Sequence, residues 1–172
     1  ACCFIFKLPG SRAYRIGIDG MNERVHLHGN WQAEGAGKRF ALAIPGDVHS
    51  ALLDAGHIED PYWGTNELDL QHLHGEDWLL THSVSVDADF LQVPSVYLHF
   101  DSMDTVAEVR VNGQIVGQSD NMFTRRRFEV KDHLLVGFNA IEVRIRSAER
   151  EAAERVSPVS YTHLRAHETK TD

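Results

Sequence analysis

Hydrophobic and polar residues alternate along most of this chain. Leu80, His82, Val84 and Val86 fall on one face of an extended segment. Val96, Leu98 and Phe100 alternate with Tyr97, His99 and Asp101. Ala107, Val109 and Val111 alternate with Glu108 and Arg110. Phe128 and Val130 repeat the pattern, as do Ile141, Val143 and Ile145. A period of two predicts strands with one buried and one wet face, as in antiparallel sheets. Asn112-Gly113, between Val111 and Ile115-Val116, predicts a two-residue hairpin turn, because a type I′ turn needs positive φ at both central positions. Earlier in the chain, residues 25–31 read as a short extended segment closed by Gly29-Asn30. Residues 39–44 read as a strand stopped by Pro45-Gly46.

The alternation breaks at residues 45–67, PGDVHSALLDAGHIEDPYWGTNE. Here Val48, Ala51, Leu52 and Ala55 fall at i, i+3, i+4 and i+7. Asp47 stands at the N-cap and Gly56 at C′ of the predicted helix. A helix this short is marginal alone and must pack on the sheet. A turn-rich loop follows, and residues 68–73 add a further helical turn. Together these features predict an all-β fold, an antiparallel β-sandwich with one or two short helices.

Length and composition narrow the possibilities. The 172 residues suit one domain. A formal charge of −8 argues against a general nucleic-acid binder. No apolar run approaches the roughly 18 residues needed to span a bilayer. The two cysteines are adjacent, Cys2 and Cys3, and the cysteine-free remainder fits a reducing, cytoplasmic compartment. Export or lysosomal delivery is the alternative if the true amino terminus carries a signal.

Both ends differ from the middle. Residues 1–20 lack the features of a signal peptide. They read as a non-native or disordered leader, with Met21 as the natural start; the alternative is a real strand at residues 12–18. Residues 156–172 lose the alternation, and SYTHLRAHET resembles translated adapter sequence. That tail reads as artefactual or disordered, leaving residues 21–155 as the sandwich domain.

Chemistry-bearing residues concentrate in the loop. Tyr62 and Trp63 offer aromatic faces that suit the C–H face of a sugar, or else plug one end of the sandwich. Asn66-Glu67 mimics the acid/base segment of a retaining glycosidase. Such an enzyme needs two carboxyl groups about 5–5.5 Å apart, and here the pair lies in a loop of a β domain with no barrel around it. The pair is read as ordering the loop or contacting a sugar, and no catalytic residue is assigned. His72 and His74, or His26 and His28, share strand faces, but no third ligand motif follows, so no metal and no cofactor is expected. Arg125-Arg126-Arg127 reads as a salt-bridged surface ladder, with the outer two arginines on one side.

Two stretches carry a family resemblance. The first is residues 45–67 with Trp78 beyond it. The second is DTVAEVRVNGQIVGQSDNMFTRRRFEV, residues 104–130, completed by GFNAIEVRI at 137–145. With Gly29-Asn30-Trp31 they resemble the amino-terminal, galactose-binding-like jelly-roll domain of β-mannosidases of glycoside hydrolase family 2. The hairpin motif is common to that family, whereas the DPYWGTNE and DNMF stretches point to β-mannosidase over β-galactosidase or β-glucuronidase. The resemblance implies a parent enzyme that removes terminal β-D-mannose from the non-reducing end of oligosaccharides, with retention. Its two catalytic glutamates would lie on a (β/α)8 barrel that is absent here, as is the family's Trp-Asp-Trp-Gly segment. The domain would pack on downstream domains of that parent, reach the β-mannoside only through the barrel, and be inactive alone. Asp60, Pro61, Tyr62, Gly64, Asn66 and Glu67 match the family pattern. Trp63, Asn66 and Glu67 are the implied substrate-binding residues, on a loop near the barrel entrance. The competing readings are a stand-alone carbohydrate-binding module and the same domain of another family 2 glycosidase, a β-galactosidase or β-glucuronidase.

Overall fold

A computed structural model of the chain describes residues 16–19, 24–61 and 63–155, with the backbone alone for Ile16, Arg24, Glu67, Ala148 and Arg155. Ten strands are described: β1 (Ile16–Asp19), β2 (Arg24–His26), β3 (Gly29–Gly35), β4 (Lys38–Ile44), β5 (Trp78–Val86), β6 (Tyr97–Phe100), β7 (Ala107–Val111), β8 (Gln114–Ser119), β9 (Arg126–Glu129) and β10 (Gly137–Ile145). Three helices accompany them: α1 (Val48–Asp54), α2 (Asn66–Asp69) and α3 (Ala148–Arg155). The four-stranded sheet has the order β2-β1-β6-β9, and the six-stranded sheet β4-β3-β5-β10-β7-β8. Every described pairing is antiparallel.

The two sheets form an all-β sandwich. Their apolar faces merge into one buried cluster, with Ile18, Leu98 and Phe100 from the smaller sheet and Trp31, Phe40, Leu80, Val109, Ile141 and Val143 from the larger. Alternation explains this directly, since each strand sends every second side chain inward. β5 and β10 are the longest strands and pair along their full length, from Trp78 opposite Ile145 to Val86 opposite Gly137. At one edge the sheets close on each other through Gly117 of β8. A Cβ there would lie 2.1 Å from the Phe128 ring of β9, so only glycine admits that contact.

Local sequence accounts for the short elements. The Asp47 side chain caps α1, its Oδ1 accepting from the Ser50 amide at 2.9 Å. Gly56 takes φ of +68°. The Gly56 amide donates to the Leu53 carbonyl and the His57 amide to the Leu52 carbonyl, which together form a Schellman stop. Val48, Ala51 and Leu52 are buried as the helical spacing requires, whereas Ala55 is exposed because the helix has already ended. Asn112 and Gly113 both have positive φ, the predicted type I′ geometry.

Three expectations need adjustment. Gly29-Asn30 does not close a segment. Gly29, at φ of +110°, begins β3, and the chain changes sheets between β2 and β3. The turn expected at residues 68–73 resolves into α2 followed by a 3-10 turn at Gln71–Gly75. Residues 16–19, assigned to the leader, form β1 between β2 and β6. The fit is specific: Ile18 is fully buried, the His99 ring packs against Gly17, and His99 Nδ1 lies 3.3 Å from the Asp19 carboxylate. The tail at residues 156–172 lies outside the described residues.

Candidate functional site

The loop between α1 and α2 is built around one carbonyl. The Trp63 amide donates to the Asp60 carbonyl at 3.1 Å, and the Asn66 Nδ2 donates to the same oxygen at 2.9 Å. The Asn66 amide in turn donates to the Trp63 carbonyl at 3.2 Å. Asn66 therefore orders the loop, closing residues 60–66 into a compact turn. Trp63 projects from that turn with 78% of its surface exposed. It does not plug the sandwich, whose buried core instead holds Trp31, Phe40 and Trp78, with Phe40 and Trp78 meeting edge to face at 5.9 Å. Leu68, in α2, is also exposed. Glu67 lies in α2, and its side chain is outside the described residues, as is all of Tyr62.

Among the described residues this loop is a hydrogen-bonded turn that holds one indole out to solvent. A retaining glycosidase needs a pair of carboxyl groups at fixed separation in a cleft, and no such pair is described around residues 60–66. A second constellation is one that alternation alone could not assemble. Glu108, Gln118, Ser119, Asp120, Arg126, Arg146 and Glu151 line one cleft of about 390 Å³. Glu108 is held below the usual carboxylate range, first by its hydrogen bond from Arg110, against the opposing effect of burial. Arg146 is held above its usual value by Glu151. Glu108 and Gln118 are opposite each other across the β7–β8 hairpin, whose Asn112-Gly113 turn was legible in the sequence. No local signal brings Arg126 or Arg146 to them.

The other candidates have structural partners. The three arginines diverge: Arg125 pairs with Asp101 at 3.4 Å, and Arg126 with Asp120 at 3.0 Å. Arg127 stacks its guanidinium 3.8 Å from the centre of the Tyr97 ring. The expected ladder is thus two ion pairs and one cation–π contact. His72 Nδ1 sits 2.7 Å from the Asp69 carbonyl, and the His26 and His28 rings are 5.5 Å apart. Among the described residues no group of three or more His, Cys, Asp or Glu is placed to hold a metal ion. Among the same residues, no helix is long and apolar enough to cross a membrane.

Comparison with known proteins gives a consistent assignment. Residues 31–171 match the family model described as glycosyl hydrolase 2 galactose-binding domain-like. The chain is similar to the β-mannosidase of Capra hircus, at 36% identity over 125 residues, which is 72% of this chain and 14% of that protein. It is 31% identical over 155 residues to the probable β-mannosidase of Caenorhabditis elegans, covering 89% of this chain and 17% of the relative. In three dimensions it is similar to the β-D-mannosidase of Dictyoglomus thermophilum, with a TM-score of 0.75, 36% identity, and coverage of 84% of this chain and 17% of that one. A β-glucuronidase of Bifidobacterium dentium shares the fold at a TM-score of 0.54 but only 18% identity. The chain thus spans about a sixth of the length of its β-mannosidase relatives. The sandwich topology, the family model and the identities agree, and the chain belongs to the galactose-binding-like domain family of the family 2 glycosyl hydrolases.

Proposed function

We propose that this chain is the non-catalytic sugar-binding-like domain of a β-mannosidase, whose full-length parent hydrolyses terminal, non-reducing β-D-mannose residues with retention. The observation that carries this reading is the contrast in identity. The D. thermophilum β-D-mannosidase is 36% identical, whereas the glucuronidase of the same fold is 18% identical. Within that reading the loop at residues 60–67 borders the entrance of a downstream barrel, where (β/α)8 active sites are built. Trp63 would stack on the mannoside, Glu67 would approach its hydroxyls, and Asn66 would keep the turn in shape. The exposed indole, carried on a hydrogen-bonded turn, supports this placement. Packing against downstream domains and cytoplasmic residence belong to the same proposal.

The test has two arms. The 172-residue chain, assayed with an aryl β-D-mannoside, is expected to give no turnover above buffer. Measurable turnover abolished by Glu67→Gln would overturn the non-catalytic reading. The second arm sequences the locus downstream. A barrel with two catalytic glutamates is expected, and its absence would remove the parental assignment.

A further inference from the structure

We propose that the cleft between the outer ends of β7 and β8, the start of β9 and α3 binds a neutral saccharide, with Phe123 as its stacking platform. The inference rests on the carbohydrate assignment above but concerns a different surface of the domain from the loop at residues 60–67.

Shape comes first. The cleft of about 390 Å³ shares Asp120 with a second depression of similar volume, lined by Thr105 and residues 120–123. Asp120 thus stands between an ion-paired, polar cleft and an aromatic depression, and a ligand lying across it would use both as one trough. Phe123 is 76% exposed, so its ring face is open to a ligand. A phenyl face suits the C–H face of a pyranose, while the polar end suits its hydroxyls.

Charge selects the ligand class. Glu108, Asp120 and Glu151 supply three carboxylates, and Arg126 and Arg146 two guanidiniums. Each is already engaged: Arg126 with Asp120 at 3.0 Å, Arg146 with Glu151 at 2.9 Å, and Glu108 with Arg110 at 2.8 Å. An anion or a metal cation would have to break these pairs. A sugar hydroxyl both donates and accepts, so it can add to such a lining without displacing it. Gln118 and Ser119 extend the same mixture of donors and acceptors.

The trough is also preorganised. Asn121 Oδ1 accepts from the Phe123 amide at 2.8 Å. The buried Ser102 hydroxyl donates to the Met122 carbonyl at 2.8 Å. Ser119 Oγ donates to the Asn121 carbonyl and accepts from Arg126 Nε at 3.2 Å. The turn that carries Phe123 is thereby fixed, which lowers the ordering cost of binding.

The test is an amide chemical-shift titration of the 172-residue chain with mannobiose and methyl β-D-mannopyranoside, with sodium sulfate in a parallel arm. Saturable shifts are expected at residues 106–108 and 117–126, with the Trp63 indole signal unmoved. Phe123→Ala is expected to weaken binding about tenfold, and Arg126→Gln comparably, while Phe138→Ser leaves it unchanged. Phe123 is exposed, so its variant reports on binding even if Arg126→Gln fails to fold. The proposal is overturned if no saturable shift occurs at the sugars' solubility limit. Shifts centred on Trp63, or a stronger response of the same amides to sulfate, would also overturn it. None of these failures touches the parental assignment, which the aryl mannoside assay and the downstream locus decide.

Discussion

His49 shows how one residue can carry a pH dependence. Its Nδ1 is buried with no hydrogen-bond partner among the described residues, and its ring lies 5.9 Å from that of His74. Burial, then the like charge of His74, lowers its pKa from 6.5, against the opposing pull of Asp47. A histidine that resists protonation when folded is protonated more readily when unfolded. Stability is then complete above the unfolded value of 6.5 and declines as pH falls below it. Thermal unfolding measured from about pH 7 to about pH 5 should show a loss of stability that His49→Gln reduces. Equal slopes for the two proteins would exclude His49 as a source. Nothing in the sequence around His49 marks this role, because His74 reaches it only through the fold. Trp31 is similar. Its indole donates to the Leu27 carbonyl at 2.9 Å and stacks on His82 at 4.9 Å, which explains why His82 occupies an apolar face.

At the scale of elements, local chemistry is strongest where a side chain bonds its own neighbours. Asp47 bonds both the amide and the hydroxyl of Ser50, and α1 is only seven residues long. Asp47→Ala should therefore lower stability by about 1 kcal/mol. Chemical denaturation with an unchanged m-value is the measurement, and a difference near zero would show that packing alone holds α1. The cap, the helix and its stop were all legible in the sequence, since each depends on residues within one turn. The turn leading into β10 was not. Asn139 accepts from the Leu135 amide at 2.7 Å and donates to the Leu135 and Gly137 carbonyls. Asn112, 27 residues away in sequence, donates to Asn139 Oδ1. This network leaves Leu135, Val136 and Phe138 facing outward on a rigid turn. A side-chain bond of that sequence separation has no local signature.

For the whole molecule, the decisive feature is that β1 lies inside the smaller sheet. A domain beginning at residue 21 would lose it, although that boundary looked natural in the sequence. Its removal would expose the pocket of Ile18 and leave β2 without its described pairing. A chain trimmed to begin at residue 21 should melt about 10 °C or more below the full chain. Equal melting temperatures would show that residues 1–20 are dispensable. A four-residue strand shows too few alternations to stand out, and one of its two partners, β6, lies some 80 residues later in the chain.

The sequence by itself determined the class of the fold, most strand faces, the capped helix, the hairpin turn and the family resemblance. Each rests on patterns that close within a few residues, because a period of two or a cap is set by backbone geometry. Only the tertiary structure decided the sheet order, the place of β1, the exposure of Trp63 and the meeting of Arg126 and Arg146 with Glu108. Those depend on pairing and register between segments far apart in the chain, where many arrangements share the same alternation and burial of the common core selects one.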